Sequence, residues 1–164
     1  MARWRIWMGD KIVEVNSLLV AVYDDIYNIE EAALKSGVFK DLSIKEIHTI
    51  EAVGMYGSKI MSELAQAMKV TMGTLTTTVD KLIKKGYVER KRSETDRRIV
   101  NVTLTKRGKL AYRIHEKFHH DMVKAVVNAF TEEEEEVLVR ALSKLNTYLL
   151  NTYTDAYKGV EKGE

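Results

Sequence analysis

Apolar residues recur every three or four positions along most of the chain, the period of amphipathic helices packed on a core. From Asp10 to Ser36 there is no proline and no internal glycine. Ile12, Val15, Leu18, Leu19, Val22, Tyr23, Ile26, Tyr27 and Ile29 predict one long helix there, ending near Gly37. Its apolar positions cover more than one face, so it is expected to pack on its own domain and on something else. A second helix follows in LSIKEIHTIEAVG, where Ser43 and Glu46 have capping-box spacing and Leu42 is placed as a hydrophobic staple. Met55 to Gly57 then read as a loop.

Two shorter helices come next. SKIMSELAQAMKV places Ile60, Met61, Leu64, Ala65 and Met68 on one face, with Ser58 able to cap its start. After a tight turn near Lys69 and Val70, TMGTLTTTVDKLIKKG starts with Thr71 as N-cap and stops with Gly86 in the C′ position. Leu75, Val79, Leu82 and Ile83 form its expected buried stripe. The period then changes to two: Tyr87 to Arg90 and Ile99 to Leu104 predict a hairpin with Val100, Val102 and Leu104 inward and its turn at Ser93 to Asp96. Thr105 caps a long helix with Leu110, Ile114, Phe118, Met122 and Val126 at every fourth position, ending near Phe130. Thr131 and Glu134 open a last helix as a capping box, with Leu138, Ala141, Leu142, Leu145 and Leu149 as its stripe and fraying expected from Thr154. The fold class is mainly α: a helix-turn-helix with a small β-hairpin wing, flanked by long terminal helices.

Placing the stripe of the Thr71–Gly86 helix inward turns Gly73, Thr74, Thr77, Lys81 and Lys84 outward, at about 100° per residue. Threonine is a poor surface helix former, because its branched Cβ restricts χ1. Four threonines between Thr74 and Thr78 therefore call for a reason. Hydroxyls followed by lysines suit a helix that enters a major groove with its first half and meets phosphate with its second. Charge supports this. Residues 81 to 109 hold eleven Lys or Arg against three Asp or Glu, a local +8 that leaves −6 for the rest of a chain whose net charge is only +2. Such a stripe is the electrostatic footprint of a nucleic-acid-binding face. The candidate DNA-binding set is Ser58, Thr71, Thr74, Thr76, Thr77, Lys81, Lys84, Arg90, Arg92, Asp96, Arg97 and Arg98.

In KKGYVERKRSETDRRIVNVTLTKRG the chain resembles the MarR family of bacterial transcription regulators. The likeness includes the Lys85-Gly86 turn, the Asp96-Arg97-Arg98 tip and the Leu104-Thr105-x-x-Gly108 exit. It covers almost all of residues 12 to 150 and implies a triangular homodimer on palindromic double-stranded operator DNA. The resemblance also implies that Arg98 reaches into the minor groove, with Arg97 as its rival, while Asp96 orients the wing. The 164 residues then read as a single MarR-like domain. Residues 10–36 and 105–153 are its dimerisation helices, and 43–104 form the winged DNA-binding lobe. SIKEIHTIEAVG, VTMGTLTTTVDKLIKKGYVERKRSETDRR and IHEKFHHDMV look like the repressor branch governing fatty-acid synthesis in Gram-positive bacteria. That likeness implies long-chain acyl groups on acyl carrier protein as corepressor, with Leu19, Tyr23, Ile26, His48 and Phe118 as candidate pocket residues.

Other chemistry is sparse. There is no cysteine, which rules out structural disulfides and a thiol switch. The apolar run near the start is too broken for a signal peptide or a membrane span, so the expectation is a cytoplasmic protein without a membrane partner. No phosphate loop, nucleophile elbow or spaced acidic pair suggests an enzyme, and no cofactor is expected. His115 and His119 have the i, i+4 spacing that can place two imidazoles on one metal. Two ligands do not close a zinc site, and further carboxylates or His48 would have to converge from elsewhere, so no metal is expected. The alternative reading is a MarR-like regulator answering another small ligand, or a metal through His115 and His119.

Overall fold

The structure is a computed structural model and describes residues 10–92 and 99–161, for 153–161 the backbone. It divides into two compact units, Met1–Ile44 and Lys45–Glu164. The first is built on α1, Asp10–Ser36, with the expected bounds. Gly37 ends it where a Cβ would come 2.9 Å from the Ala33 carbonyl oxygen, so only glycine turns the chain there without strain. Ile12, Leu18, Leu19, Val22 and Tyr23 are all exposed on α1. The apolar surplus read from the sequence thus persists in the folded chain.

The second unit comprises α2 (Ile44–Val53), β1 (Lys59–Ile60), α3 (Met61–Ala67), α4 (Met72–Lys84), β2 (Val88–Arg92), β3 (Val100–Leu104), α5 (Lys106–Val127) and α6 (Glu132–Glu161), α2 starting one residue before the boundary. Its core gathers Ile47, Ile50 and Val53 of α2, Leu64 of α3, Leu75, Val79 and Leu82 of α4, and Tyr87, Val88, Val102 and Ala111. Each large side chain so buried contributes about 1.5–3 kcal/mol relative to exposure. Buried Thr49 and Thr78 donate their hydroxyls to the carbonyls of Lys45 and Thr74, four residues back, so neither leaves an unpaired polar group.

Several expectations are corrected. Ser58 caps nothing, because Lys59 and Ile60 leave the helix to form β1, which pairs antiparallel with β3 in a sheet ordered β1-β3-β2. Ile60 becomes the residue before α3, and its N–H donates to the Glu63 carboxylate at 3.3 Å. The Lys59–Ile60 pair gains a strand partner that sequence periodicity cannot reveal. On α4 the buried fourth position is Thr78 rather than Ile83, which is exposed. β2 runs on to Arg92, two residues past expectation, in register Arg92↔Val100. On α5 the buried positions are Gly108, Ala111 and His115, while Leu110 and Ile114 are exposed. The helix thus packs through Gly108, Ala111 and His115, while Phe118 and Met122 of the expected stripe are half-buried. α6 keeps the Thr131–Glu134 capping box and stays helical to Glu161, past the expected fraying point at Thr154.

The exit from α4 is the tightest joint. Gly86 sits at φ 76° and donates to the Ile83 carbonyl, while Tyr87 donates to that of Leu82. This pair of bonds is a Schellman motif, and buried Leu82 and Tyr87 supply its accompanying hydrophobic pair. The Tyr87 carbonyl then accepts from the Thr105 backbone N–H at 3.0 Å, and the Thr105 hydroxyl donates to the Gly86 carbonyl at 2.7 Å. Gly108 lies so close that a Cβ would stand 2.0 Å from the Tyr87 oxygen. Gly108→Ala is therefore expected to lower the urea midpoint by an amount worth about 1–3 kcal/mol or more, the usual range for forced overpacking. Gly73→Ala, whose added Cβ meets nothing within 4 Å, should leave that midpoint unchanged or raise it.

Candidate nucleic-acid interface

The second helix of the helix-turn-helix, α4, is held at both ends. Thr71 accepts the N–H of Thr74 at 3.2 Å, and the two hydroxyls bond at 2.9 Å. Lys69, at φ 52°, makes the tight turn from α3, and Val70 donates back to the Ala65 carbonyl. With Leu75, Val79 and Leu82 facing the core, Gly73, Thr77, Lys81 and Lys84 are exposed, and Thr74 and Thr76 are half-buried. Thr77 donates its hydroxyl to the Gly73 carbonyl, which orients that oxygen on the outer face. Ser58 and Thr71 are exposed as well, so the expected α4 face is present as a face.

The hairpin behind it is oriented by charge. Arg90 on β2 forms an ion pair with Asp80 on α4, tying the wing to the helix. Lys85 bonds both carboxylate oxygens of Glu46 at 2.8 Å. Glu46 is nearly buried, so α2 is fastened to the end of α4 by a charge-assisted fork. Arg107 donates to the Lys85 carbonyl at 3.0 Å and lies 4.3 Å over the Tyr87 ring. Arg92 is exposed at the described end of β2, while Asp96, Arg97 and Arg98 lie outside the described residues.

Away from this face, the structure assembles a second group that the sequence showed only in part. His115 on α5 is buried, and its Nδ1 is 2.7 Å from Glu51 of α2. The His48 ring centroid is 5.7 Å from that of His115, and the His119 centroid 4.5 Å. Phe118 stacks beside His115 at 6.2 Å. Of the candidate pocket residues, His48 and Phe118 therefore meet around His115, whereas Leu19, Tyr23 and Ile26 belong to the first unit and are exposed on it. Glu51 was missed. Its signal was the i, i+3 spacing from His48, which puts both on one face of α2. Burial pushes the Glu51 carboxyl up. The hydrogen bond to His115 and the nearby charges of His115, His48 and His119 outweigh this and hold it below its usual range. Stability drawn from that carboxylate is thus present above the ordinary carboxylate range and lost as pH falls through the lowered value.

A capped helix presenting hydroxyls and lysines, with a basic antiparallel hairpin locked to its end, defines a winged-helix DNA-binding protein. The MarR family model matches residues 42–100, and the chain belongs to the MarR family of transcription regulators. It is 31% identical over 112 residues to the Bacillus subtilis HTH-type transcriptional regulator YfiV, covering 68% of this chain and 69% of that protein. Among solved structures it is similar to Streptococcus pneumoniae FabT in complex with DNA. There the TM-score is 0.83 and the identity 39%, over 85% of this chain and 98% of that one. A MarR-like transcription regulator from Bacillus cereus superimposes with a TM-score of 0.69 at 26% identity, over 86% and 99% of the two chains. The protein is accordingly a transcription regulator and not an enzyme. Among the described residues no helix is long and apolar enough to cross a membrane.

The Glu46–Lys85 fork yields a stability prediction. Lys85→Ala removes the cationic partner of a nearly buried carboxylate and should cost about 1–3 kcal/mol in urea unfolding. The double variant Glu46→Leu/Lys85→Met should recover most of that loss.

Proposed function

We propose that this regulator is a homodimeric repressor of fatty-acid-synthesis genes whose operator affinity is raised by long-chain acyl groups on acyl carrier protein. The carrying observation is the likeness to pneumococcal FabT bound to DNA, 39% identical over almost all of that chain. It accords with the resemblance of SIKEIHTIEAVG and IHEKFHHDMV to the fatty-acid branch. In this reading Thr74, Thr76 and Thr77 meet base edges, and Ser58, Thr71, Lys81, Lys84 and Arg92 meet phosphate. Arg90 braces the wing through Asp80. At the wing tip Arg98 enters the minor groove, with Arg97 as its rival, and Asp96 orients the wing.

Dimerisation is supported by the large apolar side chains left exposed on α1, α5 and α6, among them Tyr23, Leu110, Val139 and Leu142. Helices that carry such stripes have them covered in the working assembly. A two-fold dimer then offers two α4 helices to the halves of a palindrome.

Operator affinity is expected to fall by about 10³ to 10⁵ between 50 and 200 mM salt if about six to ten phosphates are neutralised. A flat salt response in a gel shift would sink the interface. Thr77→Ala should relax sequence preference, whereas Lys84→Ala should weaken all sequences equally and lower the salt slope by about one.

The effector is tested separately, by operator affinity in the presence of carrier protein bearing acyl chains of increasing length. Burial of each CH₂ contributes about 0.8 kcal/mol, so affinity should climb with length until the slot is full. By linkage, operator DNA must tighten acyl-carrier binding by the same factor. Equal affinity with acylated, free and absent carrier would leave a DNA-binding regulator that answers another signal.

A further inference from the structure

The histidine cluster between α2 and α5 includes none of the residues assigned to DNA contact. One ring nitrogen from each of His48, His115 and His119 lies within 4.8 Å of the other two. Around a tetrahedral zinc with Zn–N bonds of about 2.0–2.1 Å, ligand nitrogens stand about 3.3 Å apart. Side-chain adjustment that shortens these separations by up to about 1.5 Å therefore closes the set. The geometry points to a binding site for a divalent first-row transition cation, of which Zn²⁺ is the type, formed by His48, His115 and His119.

Three features beyond proximity carry this. Nitrogens converge, rather than ring edges alone, and they come from two helices. His115 is buried, while His48 and His119 keep some exposure, so an ion has a path to the set. The third feature is Glu51. Its carboxylate holds Nδ1 of His115 at 2.7 Å, so coordination by that ring runs through Nε2. A carboxylate on the far nitrogen of a ligating imidazole fixes the tautomer and raises its basicity, which is the usual outer shell of a metal-bound histidine. Imidazole donors in a chain without cysteine select borderline ions such as Zn²⁺ over Mg²⁺ or Ca²⁺. Three protein nitrogens leave a fourth position for water or a carboxylate.

The expectation that no metal binds rested on the two ligands of α5, with His48 or further carboxylates needed from elsewhere to complete a site. His48 is the third, and it lies 67 positions before His115 in the chain. Occupancy would clamp α2 to α5. Because α2 also carries Glu46, the partner of Lys85 at the end of α4, the clamp would bear on the helix that faces DNA. This inference does not depend on the acyl effector, and either can fail without the other.

The experiment uses the full chain, stripped with a chelator and titrated with Zn²⁺ against a chromophoric competitor. One zinc per chain at submicromolar affinity is expected, with Mg²⁺ unable to compete. His48→Ala and His119→Ala should each weaken binding at least tenfold, and Glu51→Gln by about tenfold to a hundredfold, the range for lost outer-shell partners. His120→Ala is the control, since His120 is exposed beside His119 yet outside the cluster. Far-ultraviolet circular dichroism of each variant without metal establishes that it is folded, and buried His115 is left unchanged for that reason. No bound zinc, or equal loss in the His120 variant, or no loss in the His48 variant, would each overturn the site.

Discussion

Much of the DNA-facing architecture depends on how closely the backbone at Gly108 approaches the Tyr87 carbonyl. That oxygen receives the Thr105 N–H, while the Thr105 hydroxyl reaches the Gly86 carbonyl on one side and caps α5 through Gly108 on the other. Three elements are fixed at one point: the end of α4, the start of the wing and the first turn of α5. A Cβ at position 108 would occupy the space of the carbonyl itself. The requirement is for backbone contact, and glycine alone meets it. The left-handed turn at Gly86 is the companion constraint, since it directs the chain from helix into strand.

Charge then refines what packing positions. The basic stretch is not a uniform brush. Lys85 is turned inward to Glu46, Arg90 back to Asp80, and Arg107 onto the Lys85 carbonyl and the Tyr87 ring. These cations brace the lobe, and the exposed Lys81, Lys84 and Arg92 are left to present positive charge outward. A local excess of +8 in the sequence thus separates into a structural part and a part available to phosphate. The acidic partners of the structural part lie on α2 and α4, so the wing and recognition helix are oriented by the elements that also form the core.

The histidine cluster stands at a different junction, between α2 and α5. Glu46, His48 and Glu51 all lie on α2 and reach, respectively, to the end of α4, into the cluster and onto His115. One short helix therefore borders both the DNA-binding lobe and the group of imidazoles. A ligand held at the cluster would act on the lobe through side chains already bonded to it, without any new contact.

Local chemistry made much of this legible from the sequence. The bounds of α1 followed from an unbroken helical stretch ended by glycine. The α4 caps followed from Thr71 and Gly86, the hairpin from its change of period, and the start of α6 from Thr131 and Glu134. The outward face of α4 followed once its stripe was placed, although Thr78 rather than Ile83 completes the buried side. Long-range geometry decided the rest. β1 exists because β3 offers hydrogen-bond partners to two residues whose periodicity reads as helix. α5 buries Gly108 where its backbone meets Tyr87, and buries His115 two turns on against Glu51 and His48 of α2, a face that leaves Leu110 and Ile114 outward. His48, Glu51, His115 and His119 show helical spacing only in pairs, and the meeting of the pairs is a property of how α2 packs on α5. Caps, breakers and periods act within a few residues and can be read along the chain; contacts between residues far apart in it arise only when the helices pack.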